Sequence, residues 1–249
     1  MSDPMSTPLK LYQFPKVWGR NVSPFTLKLE TWLRLAGLPF VSIEVRNPGK
    51  GPKGKLPAIE DGGHVIGDST LIIEHLVRTR GVDLDRELDR RARAEATAFQ
   101  RLFEDHLYWA IAYGRWLDPA GSDAIRASFF ANLPPLVRNV VPIAVRAKVR
   151  RDLHGQGLGR HSRDEIYALA RADLQAVADL LDSGPWLLAS RPTMLDAIAY
   201  GHLANIALVP VETDLKSLMI RDFPSLVAYC KRMDAHLADL DAPAPPATA

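Results

Sequence analysis

The first eighty residues switch between strand-like and helix-like spacing of apolar positions. Residues 9–14 alternate in the manner of a half-buried strand, and Pro15 ends that run. Ser23-Pro24 is suited to begin a helix, because serine accepts hydrogen bonds from free amides and proline is tolerated in the first turn. Apolar residues continue to residue 35, and residues 40–45 form an apolar, β-branched run. The order strand, helix, strand predicts a βαβ unit.

A hairpin and a second helix complete this first half. Residues 56–60 and 64–66 indicate two short strands, joined by the turn residues 61–63. Asp68 and Ser69 then precede a helix that is predicted to run to about residue 79.

From residue 81 onward the spacing is helical throughout. The predicted helices cover residues 87–116, 123–132, a proline-interrupted stretch to 153, 162–181, 193–207 and 223–240. The pattern therefore predicts an α/β domain over residues 1–80 and an all-α domain over residues 81–241. Residues 242–249 are rich in proline and alanine and are predicted to form a disordered tail.

Composition narrows the class of protein. The chain has 249 residues, 47% of them hydrophobic, and a formal net charge of only +2, which disfavours a dedicated nucleic-acid partner. Its single cysteine, Cys230, excludes an intrachain disulfide and a cysteine zinc cluster. We find neither a signal-peptide pattern nor an apolar run of membrane-spanning length, so a soluble, cytoplasmic protein without integral membrane segments is expected.

Two segments carry a family resemblance. Residues 55–62, KLPAIEDG, followed by residues 68–73, DSTLII, resemble the glutathione-binding segment of the glutathione S-transferase superfamily. Residues 23–30 and 154–161 are similar to its failed-axon-connections and metaxin-like branch and the bacterial relatives of that branch. The resemblance implies a thioredoxin-like N-terminal domain, a helical-bundle C-terminal domain, glutathione as co-substrate and a homodimer.

The resemblance also implies roles in glutathione binding. Pro57 is expected in the cis form, which turns the backbone of Leu56 towards the cysteinyl part of glutathione. Asp68 and Ser69 stand at a helix start, where an anion is favoured, and both are expected in the glutathione site. Ser69 and its amide are expected to hold the γ-glutamyl carboxylate; a plain helix cap is the alternative. Lys55 is either a partner of the glycyl carboxylate or a solvated loop lysine.

Thiol activation is assigned to Ser23. The superfamily places its catalytic serine or cysteine at this position, although a helix cap explains the residue almost as well. Thr26 stands where redox relatives carry a cysteine, which argues against dithiol chemistry. Tyr12, close to the end of the first strand, is a second candidate.

Aromatic residues suggest the second half of the cleft. Trp109, Tyr113 and Trp116 recur at helical spacing, with Tyr108 beside them. Together with Trp18 they are candidates for a pocket that accepts a small apolar electrophile, and a core stripe is the alternative. His154 and His161 lack a metal-ligand spacing, so no metal is predicted.

Two further patterns lie in the helical half. Residues 138–163 are locally basic, which indicates a solvated face or a site for an anionic co-substrate, an acidic partner or a membrane surface. Thr193 and Asp196 have the spacing of a capping box. The leading functional hypothesis is a glutathione transferase, and the alternative is a non-catalytic interaction or membrane-associated protein of the metaxin-like type.

Overall fold

A computed structural model describes residues 8–131, 134–182 and 184–241. The N-terminal half contains one four-stranded sheet with two helices. Its elements are β1 (Leu9–Gln13), α1 (Pro24–Leu35), β2 (Phe40–Glu44), β3 (Ala58–Asp61), β4 (His64–Gly67) and α2 (Ser69–Arg80). The strand order is β2-β1-β3-β4, with β1 and β2 parallel and the other pairs antiparallel. The predicted βαβ unit, hairpin and second helix are all present.

Apolar side chains from both helices and the sheet form the core of this half. Leu11 and Ile59 lie on the same side of the paired strands β1 and β3 and are inaccessible to solvent. Trp32 from α1 and Ile72 from α2 pack in the same cluster. Burial of these side chains fixes the positions at which α1 and α2 begin, beside the sheet.

The described residues of the C-terminal half form helices and connecting loops, with no strand among them. Its helices are α3 (Arg90–Arg101), α4 (Tyr108–Trp116), α5 (Pro119–Ser128), α6 (Pro135–Gln156), α7 (Arg163–Leu181), α8 (Met194–Ala207), α9 (Asp214–Asp222) and α10 (Pro224–Asp241). The predicted helix over residues 87–116 is divided by a π-helical segment, Leu102–Leu107. Helix α5 begins at Pro119, earlier than predicted, because proline is well suited to the first helical turn. Helix α9 had no counterpart among the predicted elements.

Helix α8 runs through the centre of the molecule and packs closely on α1. A Cβ atom at Gly201 would lie 2.6 Å from the carbonyl oxygen of Pro24, so this approach requires glycine. The predicted capping box at the start of α8 is present: the Thr193 amide and hydroxyl both donate to Asp196 Oδ2, each at 2.8 Å. The Leu187 amide donates to the second carboxylate oxygen at 3.0 Å, which ties the preceding loop to the helix.

The transition between the halves coincides with the end of α2. That helix ends at Arg80, and Gly81 follows in the left-handed conformation (φ 68°) that commonly ends a helix. The proposed division into residues 1–80 and 81–241 agrees with these element bounds and stays a prediction. The proposed tail, residues 242–249, lies outside the described residues.

Candidate functional site

Three loops meet at one edge of the sheet because of the strand register. Tyr12, near the end of β1, is paired with Ala58, the first residue of β3. Ala58 is paired in turn with Gly67, the last residue of β4. The β1–α1 loop, the residues preceding β3 and the start of α2 therefore lie side by side, although they are far apart in the sequence.

The middle loop carries the Leu56-Pro57 pair. This peptide bond is cis, as predicted. Both residues are buried, whereas Lys55 is exposed and forms no hydrogen bond or ion pair with any residue that the structure describes. The backbone of Leu56 precedes β3 directly, at the edge where the three loops meet.

At the start of α2 the capping role falls to Asp68. Its Oδ1 accepts hydrogen bonds from the amides of Thr70 at 3.0 Å and Leu71 at 3.2 Å. Asp68 adopts a φ of 84°, which is unusual for a residue with a side chain. Ser69 is the first helical residue and is only 5% exposed. Its hydroxyl forms no hydrogen bond within the described ranges, so it is available to a ligand at the helix start.

Ser23 occupies the N-cap of α1 in the first loop. Its Oγ accepts a long hydrogen bond, 3.4 Å, from the Thr26 amide, and its own amide donates to Asn21 Oδ1 at 3.0 Å. Because the cap uses Oγ only as an acceptor, the hydroxyl proton can still be donated to an anion. The capping role and the proposed catalytic role are therefore compatible. Thr26 is fully buried behind Ser23.

Tyr12 is engaged elsewhere. Its hydroxyl donates to Glu60 Oε2 at 2.7 Å, and this hydrogen bond is the main reason that the pKa of Tyr12 is raised. The same carboxylate pairs with Lys10 at 2.8 Å. Tyr12 thus belongs to a polar cluster on the outer face of β1 and β3.

Residues of the helical half form hydrogen bonds with the backbone of the loop that carries Ser23. Arg115 on α4 donates to the carbonyl oxygen of Val22 and to the carbonyl and Oδ1 oxygens of Asn205 on α8, the latter two at 3.1 and 2.9 Å. The side-chain amide of Asn205 donates to the backbone carbonyl of Asn21 at 3.3 Å. The sequence analysis missed this network; its only signal was an asparagine within the apolar helix α8.

A second buried network lies beside Ser69. Lys28 on α1 donates to Glu104 Oε1 at 2.6 Å and to Thr70 Oγ1 at 2.9 Å. Gln100 donates to Thr70 Oγ1 at 3.0 Å and to Glu104 Oε2 at 2.9 Å. Burial lowers the pKa of Lys28, and the Glu104 carboxylate opposes that effect. Glu104 lies in the π-helical segment, a type of irregularity that is frequent at functional sites. None of these residues was a sequence candidate.

Trp18 projects from a tight turn in the first loop. Trp18 and Gly19 have φ values of 57° and 78°, between the paired residues Val17 and Arg20. The Trp18 indole donates to Ser128 Oγ at the end of α5, at 3.0 Å. Beneath it lies a cavity of about 30 Å³ whose lining residues come from this loop, α4, α5, the end of α8 and the segment before and into α9: Trp18, Ile111, Gly114, Arg115, Gly121, Asn205, Ile206, Val209, Val211, Thr213 and Leu215.

The other four aromatic candidates do not line this cavity. The Tyr108 ring packs against Phe25 of α1, with ring centres 4.9 Å apart, and burial raises the pKa of its hydroxyl. Trp109 and Tyr113 pack against the core of the helical half, and Trp116 contacts Phe130. The helical stripe thus contributes largely to packing, and a role of these four residues in substrate binding stays a prediction.

Few side chains in the described ranges could bind a metal or react as a thiol. No cluster of three histidine, cysteine, aspartate or glutamate side chains with metal-binding geometry occurs there. Cys230 is fully buried, and burial raises the pKa of its thiol. Among these residues, no helix is long and apolar enough to cross a membrane.

Comparison with known families identifies the chain. The profile of the glutathione S-transferase N-terminal domain matches residues 24–121, and that of the glutathione S-transferase C-terminal domain matches residues 170–233. The chain belongs to the glutathione S-transferase superfamily. It is 35% identical over 233 residues to isoprene-epoxide–glutathione S-transferase of Rhodococcus sp. (strain AD45), covering 90% of this chain and 97% of that protein.

Further similarities confirm the predicted branch and the fold. The chain is 29% identical to failed axon connections of Drosophila melanogaster over 90% of its own length and 56% of that protein. It is 27% identical to metaxin-2 of Mus musculus, with coverage of 85% and 81%. The crystal structure of the β-etherase LigF from Sphingobium sp. strain SYK-6 superposes with a TM-score of 0.65 at 20% identity, over 94% of this chain and 98% of the other. The glutathione S-transferase fold is therefore confirmed.

Proposed function

We propose that this protein is a glutathione transferase that binds glutathione at the sheet edge and joins its thiolate to a small apolar electrophile. The observation that carries the proposal is the convergence of three segments at that edge. These segments are the loop with the Ser23 hydroxyl, which is free to donate, the backbone before the cis proline, and the start of α2, where the Ser69 hydroxyl is available. They correspond to the sulfur, the cysteinyl backbone and the γ-glutamyl end of glutathione.

Binding would divide among the three segments. The Leu56 backbone pairs with the cysteinyl residue in the manner of an added strand. Ser69 holds the γ-glutamyl carboxylate through its hydroxyl and its amide, because Asp68 already takes the amides of Thr70 and Leu71 and leaves those groups of Ser69 available. The exposed Lys55 pairs with the glycyl carboxylate.

Catalysis requires a thiolate at neutral pH. A free thiol has a pKa of about 8.5 and is mostly protonated under these conditions. A hydrogen bond donated by Ser23, together with the positive end of α1, stabilises the thiolate and releases the thiol proton to solvent. The thiolate then forms a carbon–sulfur bond with the electrophile, and the electron pair of the bond that breaks at that carbon passes to the departing atom.

The Rhodococcus relative suggests which electrophile to test first. Its name states that it acts on isoprene epoxide, and it spans nearly the same length as this chain. We infer that a small aliphatic epoxide is a suitable first substrate. We also propose, from the resemblance alone, that the protein is a cytoplasmic homodimer. Light scattering, which measures the mass of the particle in solution, tests the dimer.

The test combines calorimetry with conjugation kinetics. Ser69→Ala should weaken glutathione binding about tenfold or more, as expected for a lost hydrogen bond to a charged group. Ser23→Ala should leave binding largely intact, raise the pKa of bound thiol in an ultraviolet titration and lower kcat. Ser217→Ala, which removes an exposed hydroxyl from α9, is the matched control and should change neither.

The outcomes separate binding from activation. A wild-type chain that does not bind glutathione at millimolar concentration overturns the proposed function. Binding with an unaltered thiol pKa in Ser23→Ala overturns the role of Ser23 alone.

A second candidate function, a non-catalytic protein that associates with membranes, is favoured by one observation. Val140 and Ile143 on α6 are 56% and 71% exposed. Arg150 and Arg151 follow on the same helix, so an apolar surface precedes a basic one. Sedimentation with anionic and neutral lipid vesicles tests this candidate: binding to anionic vesicles that Ile143→Asp abolishes supports it, and no binding to either vesicle refutes it.

A further inference from the structure

The cavity beneath Trp18 combines an apolar lining with one strong cation. Five of its eleven lining residues are aliphatic: Ile111, Ile206, Val209, Val211 and Leu215. The Arg115 side chain enters this lining from α4 and donates to the carbonyl oxygen of Val22, the residue before Ser23. Small-molecule sites combine apolar side chains with a few placed polar groups, and the polar groups here are Arg115, Asn205 and Thr213.

Arg115 has no carboxylate partner among the residues that the structure describes. Its hydrogen bonds go to two backbone carbonyls and the amide oxygen of Asn205, all uncharged. By contrast, Arg163 and Arg80 each pair with an aspartate within 3 Å. Burial lowers the pKa of Arg115 to about 10, so the guanidinium stays charged at neutral pH without a neutralising group.

The guanidinium also retains donors. Arginine has five N–H groups. One Nη1–H donates to Val22, and the two Nη2–H groups donate to the two oxygens of Asn205. Neither Nε–H nor the second Nη1–H donates to any described residue. These donors and the uncompensated charge suit an oxygen that carries negative charge.

Resting on the proposed function, we propose that Arg115 is a catalytic residue that holds the oxygen on which negative charge develops when the thiolate attacks. The electrophile class is then a compact aliphatic molecule whose reacting carbon is bonded to oxygen, with an epoxide as the smallest example. The thiolate sulfur bonds to one ring carbon, and the electron pair of the breaking C–O bond passes to the oxygen. The resulting alkoxide, hydrogen-bonded to Arg115, takes a proton from water and gives a β-hydroxy thioether.

Cavity size limits the substrate. A volume of about 30 Å³ holds one or two water molecules, which is enough for the polar end of a small substrate. A bulky aromatic electrophile would have to displace Trp18, which its bond to Ser128 opposes.

Matched electrophiles test the assignment. We would measure kcat and KM with glutathione for 1,2-epoxybutane, which develops an alkoxide, and for 1-iodobutane, which releases iodide. Arg115→Met should lower kcat for the epoxide about 10²- to 10³-fold, the usual effect of removing an oxyanion donor, and should lower kcat for the iodide far less. Arg115→Lys, which keeps the charge, should recover part of the epoxide rate.

Asn205→Ala is the control for a purely structural role. This substitution removes the hydrogen bond from Asn205 to the Asn21 carbonyl in the Ser23 loop, together with the side-chain bond to Arg115, but it keeps the Arg115 guanidinium. It should therefore lower both rates by a similar factor. If Arg115→Met also lowers both rates equally, or lowers neither, Arg115 does not hold the oxygen. Activity with the iodide would still support the proposed function in that case, whereas wild-type inactivity with both electrophiles counts against both proposals.

A binding measurement tests the role of Arg115 even if Arg115→Met folds poorly. Calorimetry on the wild-type protein compares the conjugates S-(2-hydroxybutyl)glutathione and S-butylglutathione. We expect the hydroxylated conjugate to bind more tightly and to lose part of that advantage in Arg115→Lys, which keeps the charge but has fewer donors. Equal affinities in the wild type would overturn the role of Arg115, and failure of both conjugates to bind would overturn the proposed function.

Discussion

Lys28 Nζ lies 2.6 Å from Glu104 Oε1, and this ion pair joins α1 to the π-helical segment in the interior of the protein. The lysine is inaccessible to solvent, and the carboxylate is 8% exposed. Thr70 and Gln100 satisfy the remaining polar atoms of the pair. A buried pair of this kind is destabilising to break, because the remaining charge loses its partner.

We therefore predict strong coupling between these two residues. Lys28→Met and Glu104→Leu should each lower the free energy of unfolding by about 3–5 kcal/mol, and the double variant should cost much less than their sum. Urea unfolding of the four proteins measures the coupling. The exposed pair Lys148–Asp152, 2.5 Å apart, is the control and should couple by less than about 1 kcal/mol. Additive losses at Lys28 and Glu104 would contradict the prediction.

His202 should make stability depend on pH. It is fully buried on α8, its Nδ1–H donates to the Ile198 carbonyl at 2.8 Å, and burial lowers its pKa from 6.5 to about 4. Between these values the unfolded chain binds more protons, so stability is complete above pH 6.5 and declines as the pH falls towards 4. The shift corresponds to about 3 kcal/mol.

Comparison with a variant isolates this contribution. Urea unfolding between pH 7.5 and 4.5 should show a smaller pH-dependent loss in His202→Gln than in the wild type. His64→Gln, at an exposed position in the β3–β4 hairpin, is the control. A His202→Gln protein with the same pH dependence as the wild type would show that His202 is not responsible.

Gly201 should tolerate no side chain. A Cβ there would also lie 2.9 Å from the Lys28 amide nitrogen, so Gly201→Ala must separate α8 from α1. We expect a loss of about 1–3 kcal/mol in the free energy of unfolding. Gly155→Ala on α6 meets no atom within 4 Å and should instead stabilise the protein by up to about 1 kcal/mol. Equal effects of the two substitutions would refute the requirement for close packing.

The capping box should matter for folding and not for ligand binding. Thr193→Ala is expected to cost about 1–2 kcal/mol of stability. Asp196→Ala should cost more, roughly 3 kcal/mol, because the carboxylate also accepts a bond from the Leu187 amide, which would be left unpaired. It also accepts from the Tyr229 hydroxyl, which would keep only its bond to the Asp196 carbonyl. Thermal unfolding measures both losses, and glutathione calorimetry well below the transition should show unchanged affinity. Unaltered thermal stability in either variant would contradict this assignment.

Local patterns in the sequence predicted most of the elements. Alternation and helical spacing located β1, α1 and the hairpin, because these preferences depend on neighbouring residues. Helix α9 was missed although Thr213 accepts a hydrogen bond from the Lys216 amide and so provides a local start signal. The π-helical segment had no such signal, and its Glu104 pairs with Lys28, a residue 76 positions away in the chain.

For the candidate site, the sequence by itself determined which segments bear the resemblance to a glutathione site, including the cis bond at Pro57 and the serines 23 and 69. Only the tertiary structure decided what stands behind them. The register of β1, β3 and β4 brings those segments together, and packing of the helical half places Arg115 against Val22, 93 positions away in the chain. A polar residue in an amphipathic helix has the same local sequence signature whether it faces solvent or a buried partner. Its partner is selected by long-range packing, and that choice separates a surface arginine from one that is bonded to the loop of Ser23.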